Sequence, residues 1–581
     1  MREPATDPGQ EPGTAPATSG LALTAAAVLA TVAVRLLIWF RTAMIGADSP
    51  RFIEQAKLFA EGQTGAALAL SYHPLYAYIV SFVARPVPDY ETAGILVSIA
   101  MSAATVIPVM ALARWLAGTA AAVAAATMFA VCPYLAVHGA DIMSEATYIA
   151  FLMGALAVGY AATRKLRPML LAVAGGLAGL AYLARPEGAG LLGILFLFAF
   201  FPGREGPAGP VRRLAAVVAA TLAFIAVASP YMLAIGGPDG PVFTKKKRLQ
   251  DLIGIAEIAR EWAGAAGEEE AGAAPKPLPA VTAEPAPGST PAPGAADLRA
   301  HQGLEPATRE AVLGAEVDSV TPLDRHVAAL AQVSDSFVRA FEYLMAFFFA
   351  GLLIRATPRT RRVEVFLLVT VAFYLFVLYR LHFVVGYCTR RHLLPVVTIC
   401  LPIAGLGLVA LRDWIVRRRP ALSPSRVFAA LLVLALAVAL PFSFKAQRAK
   451  NLAERRAGEW MKLDAERRGL AKPFVVMADR DKVAYYAGAV WGKPRPRFDP
   501  TLNGYDAFIR ATHEAGAVYV AYREGKVEKY YPGIEGHIRP QDLEFVHSEV
   551  DQRAGRYLVY RVLAARPQPA SAPVSLPFGS R

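Results

Sequence analysis

Long apolar runs are the feature that most limits what this chain of 581 residues can fold into. A helix needs about 20 consecutive, mostly apolar residues to cross a bilayer, and such runs recur between residues 21 and 444. We predict about eleven spans of this kind. They lie near residues 21–41, 92–116, 119–138, 145–162, 168–184, 188–202, 213–235, 336–354, 363–383, 392–412 and 426–444. The predicted fold class is therefore mainly α, a polytopic membrane protein.

The composition excludes several other classes of protein. Hydrophobic residues make up 55% of the chain and charged residues 18%, whereas soluble domains carry about 25% charged residues. This balance excludes a soluble multidomain enzyme and a mainly disordered chain. Cys132, Cys388 and Cys400 all lie in or beside apolar runs, which excludes a disulfide scaffold, and their spacing is not typical of a zinc site.

The positions of the basic residues predict the orientation in the membrane. Arginine and lysine cluster at 164–167, 204–213, 355–362 and 412–426, which are alternate loops between the predicted spans. One orientation places all four clusters in the cytoplasm, as the positive-inside rule requires. The net charge of +14 is then a topology signal, and no nucleic-acid partner is expected. We expect a multi-pass protein of the cytoplasmic (inner) membrane, with the N-terminus cytoplasmic and the C-terminal region extracytoplasmic or periplasmic.

The remaining segments give the domain organisation. We expect residues 1–20 to be a disordered cytoplasmic tail and residues 21–445 to form the transmembrane domain. That domain contains a large outer loop, 42–91, with two predicted surface helices at Pro50–Gly62 and Tyr72–Ala84. An Ala/Pro/Gly-rich insert at 264–300 is predicted to be disordered within a later outer loop.

The C-terminal region leaves the membrane pattern. Residues 446–565 predict a small extracytoplasmic α/β domain, and residues 566–581 a loose tail. A charged helix is expected at Gln447–Gly469, followed by four strands. The strands are predicted at Pro473–Ala478, Ala517–Ala521, Phe545–Glu549 and Tyr557–Val562. Asp479 and Asp481 are interpreted as turn residues, and nothing in this domain indicates catalysis.

Three carboxylates at predicted outer ends of spans are candidates for chemistry. Ionisable residues at the membrane boundary are costly, which favours a functional role. Asp48 follows the first span and precedes Ser-Pro, a context that also suits a helix N-cap. Asp141 and Glu145 are one helical turn apart at the start of the fourth span, where compensation of the helix dipole is the structural alternative.

Basic residues on the same predicted outer side form a second set of candidates. Lys245 and Lys246 belong to a Lys-Lys-Lys-Arg cluster, and Arg390 and Arg391 precede the tenth span. Both clusters violate the positive-inside rule, so an anion such as a lipid phosphate is the expected partner. Snorkelling to lipid headgroups is the structural alternative.

Four further residues complete the candidate set. Arg185 and Glu187 interrupt two apolar runs on the outer side, and a structural ion pair explains them as well as function does. His73 and Tyr76 lie on the second surface helix and are unremarkable alone. All candidate carboxylates and both basic clusters fall on one membrane side. That arrangement fits an enzyme that uses a lipid-phosphate substrate at the outer leaflet.

These residues, in this order, resemble the GT-C superfamily of polytopic glycosyltransferases, which use polyprenyl- or dolichyl-phosphate sugars. The superfamily includes protein O-mannosyltransferases, the lipid A aminoarabinose transferase and, as the nearest likeness, lipopolysaccharide galacturonosyltransferases. The resemblance covers about residues 20–565 and depends on the ordered set of motifs. They are Asp48, His73–Tyr76, Asp141 with Glu145, Gly179–Gly188, Ser229–Tyr231, Arg391–Pro395 and Ala484–Gly488. The chain departs from the family at Ser49, because many relatives have Asp-Glu at the first site.

The resemblance implies roles for these residues. Asp48 would be the general base that deprotonates an acceptor hydroxyl for inverting attack on the donor sugar, as in a hexosyl or pentosyl transferase. Arg390 and Arg391, with Lys245 and Lys246, would stabilise the donor phosphate. Asp141, Glu145, His73, Tyr76, Arg185 and Glu187 would bind substrate. The resemblance fixes no cofactor, and a divalent cation stays open, which Asp141 and Glu145 would hold in relatives that use one. The implied partners are a polyprenyl-phosphate-linked sugar, membrane lipid, and a lipid, glycan or protein acceptor.

Other classes of function stay open. An oligosaccharide ligase or polymerase with a diphosphate-linked donor would share this architecture. A transporter of lipid-linked glycans would favour two related halves, and the sequence shows no internal repeat. A non-enzymatic scaffold would use the outer domain to bind a partner.

Overall fold

The computed structural model describes eleven stretches of the chain. They are residues 17–70, 72–164, 166–200, 209–235, 322–353, 361–385, 388–445, 447–492, 504–526, 536–551 and 555–563. Lys245 and Lys246, the 264–300 insert, most of the N-terminal tail and the 566–581 tail lie outside the described residues.

Helices form most of the described chain. In the first half they are α1 (Ala17–Phe40), α2 (Ser49–Ala60), α3 (Thr64–Ala69), α4 (Leu75–Val83), α5 (Tyr90–Val131), α6 (Pro133–His138), α7 (Glu145–Arg164), α8 (Pro168–Ala184), α9 (Gly190–Phe200) and α10 (Pro210–Ala234). Later helices are α11 (Pro322–Phe341), α12 (Met345–Leu353), α13 (Arg361–Val385), α14 (Leu394–Arg418), α15 (Pro424–Ser443), α16 (Leu452–Arg467), α17 (Asp481–Ala487) and α18 (Gly504–Glu514). Short 3₁₀ turns occur at Pro186–Ala189, Glu342–Leu344, Arg390–Leu393 and Ala449–Asn451.

Many of these helices are suited to a membrane. Among the described residues, 8 helical stretches are long and apolar enough to cross a bilayer. Two shorter apolar helices, Pro168–Ala184 and Pro186–Phe200, accompany them. The polytopic, mainly α fold class is therefore confirmed, while the number of eleven spans stays a prediction.

Some helices begin and end at positions that differ from the predicted spans. The predicted spans at 92–116 and 119–138 are joined in the 42 residues of α5, with a kink where Gly118 takes a φ of +80°. The helix at the predicted span 119–138 stops early, because α5 ends at Val131 and Pro133 begins α6. Proline has no amide hydrogen and disfavours helical geometry in the residue before it. The predicted span at 336–354 is interrupted by Glu342, whose φ is +49°.

The described chain packs as two compact units. The first unit comprises Met1–Leu29, Ala104–Leu135 and Tyr148–Val438, and the second comprises Ala30–Ala103, Ala136–Thr147 and Ala439–Arg581. The second unit thus groups the first outer loop with the C-terminal region. The domain boundaries expected from the sequence stay a prediction.

Close helix packing through small residues holds the first unit. A Cβ atom on Gly175 of α8 would collide with the carbonyl group of Ala220 in α10. Gly407 of α14 meets the carbonyl oxygen of Phe347 in α12 in the same way. Small residues let helix backbones approach closely, and this packing does not depend on the hydrophobic effect, which lipid tails weaken.

A five-stranded sheet forms the C-terminal part of the second unit. The strands are β1 (Val475–Ala478), β2 (Val490–Gly492), β3 (Ala517–Arg523), β4 (Leu543–Asp551) and β5 (Gly555–Val562), in the order β2-β1-β3-β5-β4. β1 pairs in parallel with β2 and β3, whereas β5 pairs antiparallel with β3 and β4. The four predicted strands are present, and β2 is an addition of three residues.

Alternating side chains of the sheet build two apolar layers. Tyr519 and Val559 face a cluster that includes Met461 of α16 and Val483 of α17. The other face meets α18 through Phe508. In the same unit, α2 and α4 pack against each other within a cluster of buried apolar residues. The sheet and these short helices thus frame the segment that carries Asp48.

Candidate functional site

Asp48 stands at the start of α2, between the apolar helix α1 and the first outer-loop helix. Within the described helix α2, the Asp48 side chain makes no capping hydrogen bond, although it occupies the N-cap position and Pro50 follows. Its Oδ1 instead accepts a hydrogen bond from the Tyr72 hydroxyl at 3.0 Å. The carboxylate is half-buried. The capping role that the sequence allowed therefore does not explain this carboxylate.

The segment that carries Asp48 is restrained by residues from the C-terminal part of the same unit. The backbone amide of Gln447 donates to the carbonyl of Arg41 at 2.9 Å, and the Ala43 amide donates to the carbonyl of Gln447 at 3.1 Å. The amide of Ile45 donates to the hydroxyl of Tyr486 at 3.0 Å. These bonds fix the path of the loop from the end of α1 toward Asp48.

A buried ion pair braces the same loop. Arg448 donates to Asp141 from both terminal guanidinium nitrogens, and its Nη1 is 3.0 Å from Asp141 Oδ1. Arg448 also donates to the carbonyl of Met44 at 3.2 Å. Burial raises the pKa of Asp141, but the charge and hydrogen bonds of Arg448 outweigh it and hold that pKa below its usual value. Asp141 is therefore ionised and fully engaged by Arg448.

The turn before Asp48 packs directly on this pair. A Cβ atom on Gly46 would lie 3.0 Å from Asp141 Oδ2 and 2.9 Å from Ser49 Oγ, so only glycine fits without movement. Ser49 Oγ donates to the carbonyl of Ile142 at 3.1 Å. The pair and these contacts position the start of α2, and with it Asp48.

Tyr76 lies in the core beside this site. It is 0% exposed, and its hydroxyl donates to the carbonyl of Gly94 at 2.9 Å and lies 3.1 Å from Ser98 Oγ. Burial raises the pKa of Tyr76, and the charges of Asp141 and Glu145 add to the effect, so the three residues are neighbours. These contacts give the Tyr76 hydroxyl a structural role, and its expected substrate contact stays a prediction.

His73 and Glu145 are also buried, at 7% and 3% exposure. Glu145 begins α7, where a carboxylate is favoured by the helix dipole. His73 precedes Pro74 and leads into α4. The structure thus brings Asp48, Asp141 and Glu145 into one unit, with Asp48 the most accessible of the three.

The residues around Asp48 do not fit a divalent cation. Both oxygens of Asp141 are engaged by Arg448, and the residue after Asp48 is the uncharged Ser49. Among the described residues, no group of three or more His, Cys, Asp or Glu side chains could hold a metal ion.

Arg185 and Glu187 form an ion pair in the first unit. Arg185 Nη2 lies 3.1 Å from Glu187 Oε1. The hydroxyl of Tyr374 donates to the carbonyl of Glu187 at 3.4 Å, and Tyr148 donates to Tyr374 at 3.1 Å. The charge of His392 acts on Glu187, which places two of the sequence motifs together. The ion pair therefore belongs to a polar cluster inside the first unit.

Arg390 and Arg391 form the turn that opens α14. The turn is fixed by Thr389, whose amide donates to His392 Nδ1 at 3.1 Å in a capping box. Arg390 donates to the hydroxyl of Tyr134 and lies 5.3 Å from the centre of its ring. The N-terminus of a helix carries partial positive charge, so two arginines there are electrostatically unfavourable without an anion.

Sequence reasoning missed two residues of the Asp48 site. Arg448 pairs with a residue 307 positions earlier, and that separation hides the pair from any local pattern. One signal was available, because Arg448 follows the last predicted span on a side where few cations are expected. Tyr72 directly precedes the His73 motif and gave no further signal.

The fold and these sites define a class before any relative is considered. The chain is a polytopic membrane protein with a small C-terminal α/β sheet and a carboxylate placed just outside the apolar helices. A family model described as dolichyl-phosphate-mannose-protein mannosyltransferase matches residues 71–233. No curated protein sequence matches the chain.

Solved structures are similar over most of the chain. ArnT from Cupriavidus metallidurans bound to undecaprenyl phosphate is 12% identical, with a TM-score of 0.53, covering 95% of this chain and 100% of ArnT. Archaeal oligosaccharyltransferase AglB from Archaeoglobus fulgidus, in complex with an inhibitory peptide and a dolichol-phosphate, is 13% identical, with a TM-score of 0.52. That match covers 93% of this chain and 74% of AglB. Together with the family model, these matches confirm the resemblance to the GT-C superfamily and the fold class.

Proposed function

We propose that this protein is a glycosyltransferase that moves a sugar from a polyprenyl-phosphate donor to an acceptor hydroxyl on a lipid, glycan or protein. The observation that carries the proposal is the position and hydrogen bonding of the Asp48 carboxylate. Its carboxylate lies just outside the apolar helices, makes no capping bond within the described helix α2, and is oriented by Tyr72. A carboxylate held in this way suits a general base. The relatives with dolichol-phosphate and undecaprenyl phosphate in their descriptions support the donor class.

The proposed reaction is a single displacement. Asp48 takes the proton of the acceptor hydroxyl as the acceptor oxygen bonds to the anomeric carbon of the donor. The bond from that carbon to the phosphate oxygen breaks, and polyprenyl phosphate leaves as an anion. The leaving group needs charge stabilisation more than a proton, so one carboxylate is sufficient. Direct displacement inverts the anomeric centre.

Cationic residues supply the proposed stabilisation of the leaving group. Arg390 and Arg391 open α14 at a helix end that itself favours an anion. We favour Arg391, which matches the arginine before Leu-Leu-Pro in the family motif. Lys245 and Lys246 keep their proposed role in phosphate binding.

The other site residues divide into contact and positioning roles. Arg185 and Glu187 are proposed to contact the sugar, because their polar cluster carries hydroxyls and both charges. Asp141 and Glu145 with His73 are proposed to position the acceptor side, Asp141 acting through Arg448. Tyr76 supports them from the core. The reaction is proposed to occur at the outer face of the inner membrane.

An oligosaccharide ligase with a diphosphate-linked donor is the second candidate. The fold likeness to AglB, with a TM-score of 0.52, is close to that to ArnT, with 0.53. Fold likeness at 12 to 13% identity does not separate single-sugar transfer from block transfer.

Glycan analysis of the cell envelope tests the proposal. A strain lacking the protein is compared with the same strain complemented by wild type. We expect the loss of one sugar from one lipid, glycan or protein, restored by wild type, which identifies both donor sugar and acceptor. Loss of a whole oligosaccharide block would instead support the ligase. An unchanged envelope would contradict both transferase proposals.

A further inference from the structure

A cleft of about 480 Å³ opens beside Asp48 in the second unit. One wall is the outer-loop helix α2, and the other comprises α17 and β2 of the C-terminal sheet. This volume lies within the range of about 300–1,000 Å³ typical of small-molecule sites. Ala484 and Tyr485 belong to the Ala484–Gly488 motif, but none of the lining residues was proposed as a site residue from the sequence.

Charge of both signs lines the cleft. Three carboxylates, Glu54, Glu61 and Asp481, face two cations, Arg51 and Lys57. An anionic ligand such as a lipid phosphate would meet three carboxylates, so this cleft is unsuited to the donor phosphate. A neutral ligand with many hydroxyls is suited to it, because carboxylates accept hydrogen bonds from hydroxyls and the cations donate to them.

Aromatic side chains give the cleft flat apolar surfaces. Trp491 and Tyr485 both line it. Trp491 is fixed in place, because its indole nitrogen donates to the carbonyl of Ala478 at 2.8 Å and Arg51 lies 5.2 Å from its ring centre. A rigid aromatic ring beside hydrogen-bonding groups matches the two faces of a sugar ring, one apolar and one rich in hydroxyls.

The cleft also lies next to the proposed base. Arg51 is three residues after Asp48 on α2 and reaches Asp481 across the cleft at 3.8 Å. Burial is the main cause that raises the pKa of Asp481, and the charge of Asp48 adds to it. The wall of the cleft begins at Pro50, two residues after the proposed base.

We infer that this cleft binds a saccharide portion of the acceptor and presents one of its hydroxyl groups to Asp48. The inference rests on the proposed function and narrows its acceptor class from lipid, glycan or protein to a molecule that carries sugar rings. Trp491 and Tyr485 stack on the ring, and Glu54 and Asp481 bind its hydroxyls.

Saturation-transfer NMR on the purified full-length protein in detergent tests the inference without requiring turnover. The probes are methyl β-D-glucoside, methyl β-D-galactoside and methyl α-D-mannoside, with a short Ser/Thr peptide for comparison. We expect at least one glycoside to bind wild type, and Trp491→Ala to weaken that binding about two- to tenfold, the usual range for an aromatic contact. Trp414→Ala is the matched control, since Trp414 is exposed and stacked with Arg418 at 4.6 Å, outside the cleft.

A second variant covers the case in which Trp491→Ala does not fold. Glu54→Gln removes a charge from the exposed wall of the cleft and should also weaken glycoside binding, whereas Glu524→Gln, exposed elsewhere, should not. Equal binding by wild type and both cleft variants would overturn the inference, as would binding of the peptide alone. Binding is measured without sugar transfer, so the two proposals can fail separately. Failure of glycoside binding would contradict the cleft inference alone, and an unchanged cell envelope would contradict the proposed transferase function alone.

Discussion

Two helix N-termini in this molecule carry side chains of opposite charge, and each is informative for a different reason. Asp48 precedes α2 in the second unit, and Arg390 with Arg391 opens α14 in the first. A carboxylate at a helix N-terminus is favourable, so Asp48 alone would need no explanation. It is informative because its side chain does not cap the described helix and bonds to Tyr72 instead. The two arginines are informative for the opposite reason, because their position is unfavourable without an anion.

The comparison separates a proposed reactive group from its proposed anion site. At the first helix start the surrounding contacts orient a carboxylate that is only half-buried. At the second, a capping box formed by Thr389 and His392 holds the turn. Predictions for four variants sharpen or break this contrast.

Asp48→Asn should have the largest effect. Loss of a general base lowers the transfer rate by about 10²- to 10⁴-fold, while the fold is retained because asparagine is isosteric. The control is Asp89→Asn, since Asp89 is a capping carboxylate whose Oδ2 accepts from the Thr92 amide at 3.0 Å. Transfer is measured with the purified protein, using the donor and acceptor named by the envelope analysis. Equal rates in the two variants would contradict the role of Asp48 as the general base.

Arg391→Ala should follow, with a loss of about 10²- to 10³-fold in turnover, the usual cost of removing one donor to a developing anion. Arg391→Lys should recover part of it, because the charge is kept. The matched control is Arg418→Ala at the other end of α14, where a cation agrees with the helix dipole. A loss in Arg391→Ala that is no larger than in the control would break the contrast between the two helix starts.

Asp141→Asn should lower both stability and transfer. It leaves the Arg448 charge without its partner, which costs about 3–5 kcal/mol for a buried pair, and a shift of the Asp48 loop by about 1 Å would lower turnover about 10²-fold. Asp413→Asn is the control, since its pair with Arg412 at 2.6 Å is partly exposed and is worth about 0–1 kcal/mol. Thermal unfolding of the purified protein measures the difference.

The difference in stability between wild type and Asp141→Asn should depend on pH, with a definite sign. The folded-state pKa of Asp141 is lowered, so its contribution to stability is complete above the unfolded value of about 3.9. The contribution is lost as the pH falls through the folded-state pKa. The stability gap between wild type and Asp141→Asn should therefore be full at neutral pH and shrink below about pH 4. A gap that grows on acidification would contradict the ion-pair account.

Tyr72→Phe should have the smallest effect. One hydrogen bond to the proposed base is worth about 0.5–1.5 kcal/mol, which corresponds to a loss of about two- to tenfold in transfer. The control is Tyr78→Phe, because Tyr78 lies on α4 and is 48% exposed. A loss as large as that in Asp48→Asn would indicate that Tyr72 itself takes part in proton transfer.

The sequence predicted the elements that depend on local composition. Apolar runs place the helices, the break between 116 and 119 falls at the Gly118 kink, and alternating β-branched and aromatic residues place four strands. The break in the helix at Cys132–Pro133 was not predicted, because the long apolar run outweighed the single proline in the assignment of the span. Strand β2 was not predicted, because a strand of three residues is too short to show the alternation of apolar and polar side chains.

The site was less predictable than the fold. Asp48 could be proposed because its boundary position is a local feature. The Asp141–Arg448 pair could not, because it joins residues 307 positions apart, and neither has a pattern that names the other. The cleft was invisible for the same reason, since α2 and β2 form its walls from distant parts of the chain.

The anomeric configuration of the product tests the central claim most directly. The donor sugar and the first transfer product are compared by the anomeric proton coupling in NMR, with purified protein and the identified donor. Direct attack assisted by Asp48 predicts inversion. Retention would require a covalent glycosyl intermediate, with a carboxylate as nucleophile, and would contradict the role of Asp48 as the general base of a single displacement.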